Sequence, residues 1–284
     1  MIKVLHPGIY SSVQDLGRFG HANMGIPSAG AMDQLSSQLG NVLLANPIND
    51  AVIEITFGMA RLEFTSDAFF CLTGADFSQK LNGVPIQTQV VYQASKGSIL
   101  SFGQRKFGAR TYVAVQGGVI SEMVLNSRSF MNGINSKMRL QKGDLLAIGN
   151  SKSLDPKVSA ILIDEHHFFN SELECFPGPE YDQLQKDQKK RLMNSFTISE
   201  DNNRVGYRLN EIVENNLDPI ITSAVLPGTV QLTPSGKLIV LMRDGQVTGG
   251  YPRVLQLSDQ SISILSQKIM GESLRFEIKK PYRL

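Results

Sequence analysis

The chain repeats itself, and a repeat constrains architecture before any single motif does, because each copy must bury its own apolar face. Pro7-Gly8 and Pro177-Gly178 each close a short apolar run, and positions 8 and 178 are offset by 170. Gly17-Arg18-Phe19-Gly20 resembles Asn203-Arg204-Val205-Gly206 at an offset of 186. The offset returns to 170 at Gly58 and Gly228, where Met59-Ala60-Arg61-Leu62 matches Thr229-Val230-Gln231-Leu232. Phe69-Phe70-Cys71-Leu72-Thr73-Gly74 then matches Ile239-Val240-Leu241-Met242-Arg243-Asp244. Gly97 to Phe102 matches Gly271 to Phe276 at an offset of 174.

The slips in offset are helix-sized. The second copy gains 16 residues early, from Tyr181 to Phe196, a polar stretch that predicts a helix opening at Pro179. The first copy gains the same number around Gly30 to Asn46. There Met32, Leu35, Leu39, Val42 and Leu43 share a helical face, Asp33 falls in the first turn and Pro47 stops it. The last gain, four residues, is one turn of a helix after Ser258, with Ile262, Leu265 and Ile269 inward and Gly271 at its end. Val4, Ile53-Glu54-Ile55, Ala68 to Leu72, Thr111 to Val115 and Leu238 to Met242 are short β-rich runs between Gly, Asn, Asp or Pro. The expected fold is therefore mainly β with a few helices: two tandem β-barrels from an internal duplication. The copies are expected at residues 1–151 and 171–284. The charged segment 152–170 connects them, with a strand from Val158 to Ile163.

Composition narrows the function classes. Lys and Arg number 28 against 26 Asp and Glu, a formal charge of +2, without the basic excess of a nucleic-acid binder. No apolar run is long enough for a membrane span and no signal peptide opens the chain, so a cytoplasmic protein is the expectation. Two cysteines, Cys71 and Cys175, form no disulfide framework and no metal pair. The histidines are His6, His21, His166 and His167. Adjacent residues point in different directions, so no zinc site is expected. A G-x-x-x-x-G-K-[ST] loop, a G-x-S-x-G elbow and an H-E-x-x-H pair are all missing.

Two clusters combine glycine-rich backbone with charge. The first is Gln14-Asp15-Leu16-Gly17-Arg18, followed by Gly30-Ala31-Met32-Asp33. The second joins Asn203-Arg204-Val205-Gly206-Tyr207-Arg208 to Met242-Arg243-Asp244-Gly245-Gln246-Val247-Thr248-Gly249-Gly250-Tyr251-Pro252-Arg253. In the second, an apolar strand runs straight into glycines. A ligand can then approach backbone N–H groups while an arginine offers its planar fork to a carboxylate. Asp244 either orients an arginine or accepts a proton, and Thr248 and Tyr251 offer hydroxyls. Asp-Gly is equally a turn signal, and Gln14-Asp15 with Arg18 can simply tie a loop to a barrel rim, so both alternatives stay open. Ser127-Arg128-Ser129 is a weaker candidate for an anion.

These residues resemble the family variously called urea amidolyase-related, biotin-dependent carboxyltransferase-like, KipA-like and the C subunit of 5-oxoprolinase. The resemblance is carried by Pro7-Gly8 through Val13-Gln14-Asp15-Leu16-Gly17-Arg18, Gly30 to Asp33, Leu72 to Asp76, Gln116-Gly117-Gly118, Ser127-Arg128-Ser129, Arg204 to Leu209, Pro227 to Gln231, and Thr248 to Pro252. The pattern is broken at Asn126 and Phe130 beside the Ser-Arg-Ser run, at Ala45, at Thr233-Pro234-Ser235-Gly236, and at Gly245 and Val247. The resemblance implies a pair of cyclophilin-like β-barrel domains. It further implies the C subunit of an ATP-dependent 5-oxoprolinase, which opens the 5-oxoproline lactam to glutamate together with an A and a B subunit, the latter KipI-like.

Two alternatives are the carboxyltransferase half of a urea carboxylase-like system and a KipA-like regulator that antagonises a kinase inhibitor. No cofactor is assigned to the chain itself: ATP is used by the complex, and biotin enters only in the carboxyltransferase case. A small anionic substrate is expected, with Arg243 and Asp244 catalytic. Arg204, Arg208, Gln231, Gln246, Thr248, Gly249, Gly250 and Tyr251 are expected to bind it, and Gln14, Asp15, Arg18 and Asp33 are secondary candidates. The second copy is favoured because the first carries Thr73-Gly74-Ala75-Asp76 where the second has Arg243-Asp244-Gly245-Gln246.

Overall fold

The computed structural model of the chain describes residues 1–150 and 163–279. The strand expected from Val158 to Ile163 lies outside these residues except for Ile163. Contacts divide the chain into two compact units: Met1–Arg18 with Ala29–Phe168, and Phe19–Ser28 with Phe169–Leu284. Residues 19–28, which chain order assigns to the first copy, thus belong with the second unit. The end of the connecting segment, up to Phe168, belongs with the first.

The first unit holds its strands in two sheets. One runs, neighbour to neighbour, Val119–Ile120, Leu145–Ile148, Ile2–Pro7, Ala60–Phe64, Ile99–Ser101, Lys80–Leu81 and Val84–Pro85. The other runs Tyr10–Gln14, Val52–Thr56, Phe107–Val115, Ala68–Asp76 and Val91–Ala94. Alternation fixes which face is buried: Ile2, Val4, Leu62 and Phe64 from one sheet meet Val13, Ile53, Ile55, Phe70 and Leu72 from the other in one core. The expected helix forms over Gln34–Leu43. Asp33 caps it rather than joining it, accepting from the Ser36 amide at 3.0 Å. Leu39 and Leu43 face inward as expected, but Leu35 is exposed, because the inward stripe is completed by Ser36, Ser37 and Gly40.

The second unit is a closed seven-stranded barrel in the order Glu172–Pro177, Arg253–Leu257, Thr229–Leu232, Lys237–Leu241, Gly206–Ile212, Ser195–Asn202 and Ser273–Ile278. A two-stranded ladder, Ser223–Ala224 with Thr248–Gly249, stands apart from the barrel. The polar stretch after Pro179 becomes a short 3-10 turn, Tyr181–Gln183, and then the helix Lys186–Leu192, opened by a capping box between Gln185 and Gln188. The helix after Ser258 spans Asp259–Ser266, with Ile262 and Leu265 buried, and ends before Ile269 and Gly271.

The elements start where the repeat places them, yet they pair differently. Ile2–Pro7 lies between Leu145–Ile148 and Ala60–Phe64, both antiparallel. Glu172–Pro177 lies between Arg253–Leu257, antiparallel, and Ser273–Ile278, parallel. Sequence similarity follows local strand and turn chemistry, whereas partner choice depends on the length of the intervening segments.

Gly8 is the tightest turn in the first unit. Its φ is +71°, and a Cβ there would lie 2.3 Å from the Gly58 carbonyl oxygen. Gly8→Ala adds left-handed strain to a backbone clash, so a loss of about 1–3 kcal/mol or more is expected in denaturant unfolding. Gly20→Ala, where nothing stands within 4 Å of the added carbon, should cost less.

Candidate functional site

In the second unit, the barrel edge brings together residues 40 apart. Val205 and Arg204 carbonyls accept from the Met242 and Asp244 amides, each at 2.9 Å, and zip the two segments side by side. Arg204 then meets Asp244 fork to fork: Nε donates to Oδ2 and Nη2 to Oδ1, both at 2.8 Å. Both Asp244 oxygens are engaged by this pair, so its geometry suits orienting Arg204 rather than accepting a proton. The Asp-Gly turn signal is also real, since the Gly245 amide donates to the Met242 carbonyl at 3.0 Å. Arg243 is 6% exposed. Its Nη2 lies 3.4 Å from Asp259 Oδ1, on a carboxylate that is itself 88% exposed.

A separate constellation forms where Gln231 pairs with Arg253 in register, directly after a shift between Val230 and Gln231. Gln231 is 1% exposed and its Nε2 finds no hydrogen-bond acceptor among the described residues. It faces Gly249: a Cβ on that residue would lie 2.6 Å from Gln231 Nε2, so only glycine allows this approach. Beside it, Arg253 is clamped by Glu180, with Nε to Oε2 at 3.0 Å and Nη2 to Oε1 at 2.8 Å. The Arg253 hydrogen bonds hold the Glu180 carboxyl below the usual carboxylate range against a partial desolvation cost.

The expected binding set is therefore split. Arg204, Asp244 and Arg243 lie at one barrel edge, and Gln231 and Gly249 belong to the Arg253 constellation. Gly250 is half-buried and its carbonyl accepts from the Ile220 amide at 3.0 Å. Gln246 and Thr248 are exposed, and Tyr251 is 39% exposed. Arg208 alternates with buried Tyr207 and Leu209 and so sits on the outward face. Glu180 and Arg253 were not singled out by the sequence. Their signal was a charged pair flanking prolines, Pro179 and Pro252, in segments destined to be neighbours.

The secondary candidates serve the first unit's architecture. Asp15 is 3% exposed and its carboxylate is fully used. Oδ1 accepts from the Gly17 amide, Ser127 Oγ and Ser129 Oγ at 2.8, 2.7 and 2.6 Å, and Oδ2 accepts from the Arg128 amide at 2.6 Å. Arg18 Nη2 donates to the Ser129 carbonyl at 2.5 Å and to Asn135 Oδ1 at 3.1 Å. Gln14 Nε2 donates to Ser12 Oγ and the Phe130 carbonyl. Gln14, Asp15 and Arg18 thus tie the Ser127–Phe130 loop to a strand end. The Ser127 and Ser129 hydroxyls point at a carboxylate, which corrects the expectation that they hold an anion.

Asp33 sits in a buried network the sequence did not foresee. Its Oδ2 accepts from Ser36 Oγ at 2.6 Å and lies 2.8 Å from His167 Nε2. The Asp33 amide donates to the Tyr112 hydroxyl at 2.8 Å, and that hydroxyl donates to Glu54 Oε2 at 2.9 Å. A glutamate inside the apolar run Ile53-Glu54-Ile55 was the available signal. Burial, reinforced by the Glu54 and Asp33 charges, pushes the Tyr112 phenol well above its ordinary range. Burial likewise pushes the Cys71 and Cys175 thiols up to about 12, which fits packing rather than nucleophilic roles. Among the described residues no His, Cys, Asp and Glu side chains group as a metal site, and no helix is long and apolar enough to cross a membrane.

Two outcomes follow from these networks. Asp15→Ala strands four donors, and a loss of about 3 kcal/mol or more is expected on unfolding. The folded chain keeps the Tyr112 proton at pH values where unfolded tyrosine, near pH 10, has lost it. Stability should therefore fall as pH rises above about 10, and Tyr112→Phe should flatten that slope in a pH series of melts while costing some stability at neutral pH.

Comparison with known proteins agrees with this architecture. Residues 24–278 match the family described as carboxyltransferase domain, subdomain A and B. The C subunit of 5-oxoprolinase from Haemophilus influenzae is 34% identical, over 98% of this chain and 91% of its own length. The protein of the same name from Escherichia coli is 32% identical, over 97% of this chain and 90% of its own. Urea amidolyase of Lachancea kluyveri is 33% identical, but over 51% of this chain and 8% of its own. The crystal structure of TTHA0988 superimposes with a TM-score of 0.87 at 26% identity over 97% of this chain, which spans only 55% of that solved chain. The chain belongs to the carboxyltransferase domain, subdomain A and B, family.

Proposed function

We infer that the chain is the C subunit of an ATP-dependent 5-oxoprolinase complex that opens 5-oxoproline to L-glutamate. The observation that carries this is similarity to two proteins named as C subunits of 5-oxoprolinase, along nearly the full length of both partners. The A and B subunits are the partners this reading requires. ATP is a co-substrate of the complex, and this chain has no P-loop to hold it.

The second unit supplies fitting chemistry. A small anionic lactam needs a cation for its carboxylate and donors where charge grows on the carbonyl oxygen as the ring opens. Arg243 is a buried guanidinium that reaches the solvent-facing Asp259 carboxylate only at 3.4 Å, a pairing with which a substrate anion can compete. Arg204 is already committed to Asp244 and stiffens the edge on which Arg243 stands. Gln231 offers the amide donor.

A carboxyltransferase role in a biotin-dependent system is the second reading, favoured by the family match and by the urea amidolyase relative. Transfer of carboxylate from a biotinylated carrier to urea would establish it. For the oxoprolinase reading, co-purified A, B and C subunits should hydrolyse 5-oxoproline only with ATP. Turnover by the isolated chain at the rate of the complex would overturn this division of labour. In the complex, Arg243→Ala should cost on the order of 2–4 kcal/mol in transition-state stabilisation, read from kcat/KM. Lys237→Ala, on the barrel strand, should change little.

A further inference from the structure

Arg253 spends every arm of its guanidinium on holding other segments. Nε and Nη2 bind both oxygens of Glu180, and the Arg253 backbone amide also donates to Glu180 Oε2, at 2.8 Å. The Glu180 amide returns a bond to the Arg253 carbonyl at 3.2 Å. Nη1 reaches the other way, to Ser223 Oγ at 2.6 Å and the Ala224 carbonyl at 2.9 Å. Ser223 and Ala224 pair with Gly249 and Thr248. The same layer is extended by the Ile220 amide on the Gly250 carbonyl and the Val225 amide on the Val247 carbonyl, both at 3.0 Å. Underneath lies the Gln231 amide, in register with Arg253 and without an acceptor among the described residues.

The arrangement answers a physical problem. A buried amide donor without a partner costs about 1–3 kcal/mol, and a two-residue ladder has too few backbone bonds to hold its own place. An ion pair that is 17% and 11% exposed on its two sides is stiff where a surface pair would be loose. We propose that Glu180 and Arg253 are positioning residues that fix the Ser223–Ala224/Thr248–Gly249 ladder against Gln231, so that the Gln231 side-chain N–H is held ready for the carbonyl or carboxylate oxygen of a small amide or lactam. This rests on the oxoprolinase reading for the identity of the ligand, but not for the positioning itself. Neither residue touches the ligand in this scheme. Their effect passes through the ladder and through Gly249, whose missing Cβ leaves the approach to Gln231 open.

Hydrogen exchange on the full chain separates the two questions. In Arg253→Ala and in Glu180→Gln, the Ile220 and Val225 amides should exchange tenfold or more faster. Amides of Tyr207 and Val240, in barrel strands away from the clamp, should keep their protection. Arg253→Lys keeps the charge but loses the fork and should fall between; Ser223→Ala removes one link at no risk to the barrel and should loosen the ladder modestly. In the assembled complex, Arg253→Lys should raise KM for 5-oxoproline about tenfold while kcat stays within twofold. Unchanged exchange at Ile220 and Val225 in Arg253→Lys and Ser223→Ala would overturn the proposal. So would an unchanged KM in a complex whose wild type is active. A wild-type complex that leaves 5-oxoproline intact defeats the functional reading alone, and the exchange data still decide the clamp.

Discussion

Barrel closure in the second unit depends on one strand, Glu172–Pro177, which bonds antiparallel to Arg253–Leu257 on one side and parallel to Ser273–Ile278 on the other. Without it, two strands would show unpaired backbone edges, and a sheet with such edges invites foreign pairing. Closure also sets where chemistry can stand. The interior is filled by Val230, Leu232, Leu238, Val240, Leu255 and Leu257, so polar groups are left to the rims and to the layer outside the wall. The strand that closes the barrel runs directly into Glu180, and its neighbour begins with Arg253. The closing seam and the polar clamp are therefore the same place in the chain.

Charge burial follows one rule in both units: a carboxylate enters the interior only with its donors already assembled. Asp15 takes three bonds on one oxygen and one on the other, and Glu180 takes a guanidinium fork and a backbone amide. Glu54 receives the Tyr112 hydroxyl and the Met32 amide, with Arg110 at 3.8 Å. Such groups are committed, and this is what separates structural from functional charge here. Asp15 and Asp244 are satisfied by protein; Arg243 faces a carboxylate that water also reaches, and Gln231 has a donor to spare.

Family membership accounts for the scaffold but leaves the reaction to the site. The same domain is found in proteins named for lactam hydrolysis and for urea carboxylation. Both chemistries need a small polar carbonyl compound held by cation and amide donors, and neither requires this chain to supply the phosphoryl donor or the biotin. A scaffold that presents Arg243 and Gln231 on separate rigid supports can serve either. The match along nearly the whole of the oxoprolinase relatives is what tips the assignment.

Much of the fold was legible in residue order. Period-two alternation with glycine punctuation marked the strands, Asp33 and Ser258 marked helix starts, and the spacing of the repeat showed that two units were needed. These are local effects, decided within a few residues by backbone sterics and capping. The Arg/Asp/Gly cluster was also visible, and its division into two constellations was not. Whether Asp15 binds a ligand or a loop depends on Ser127 and Ser129, more than a hundred residues away. Whether Asp33 does more than cap a helix depends on His167, and whether Asp244 can act as a base depends on Arg204. Sequence determined which residues had the chemistry and the backbone freedom to form a site. Tertiary structure alone decided which were already spent on partners, because a buried charge is satisfied by what surrounds it in space and not by its neighbours along the chain.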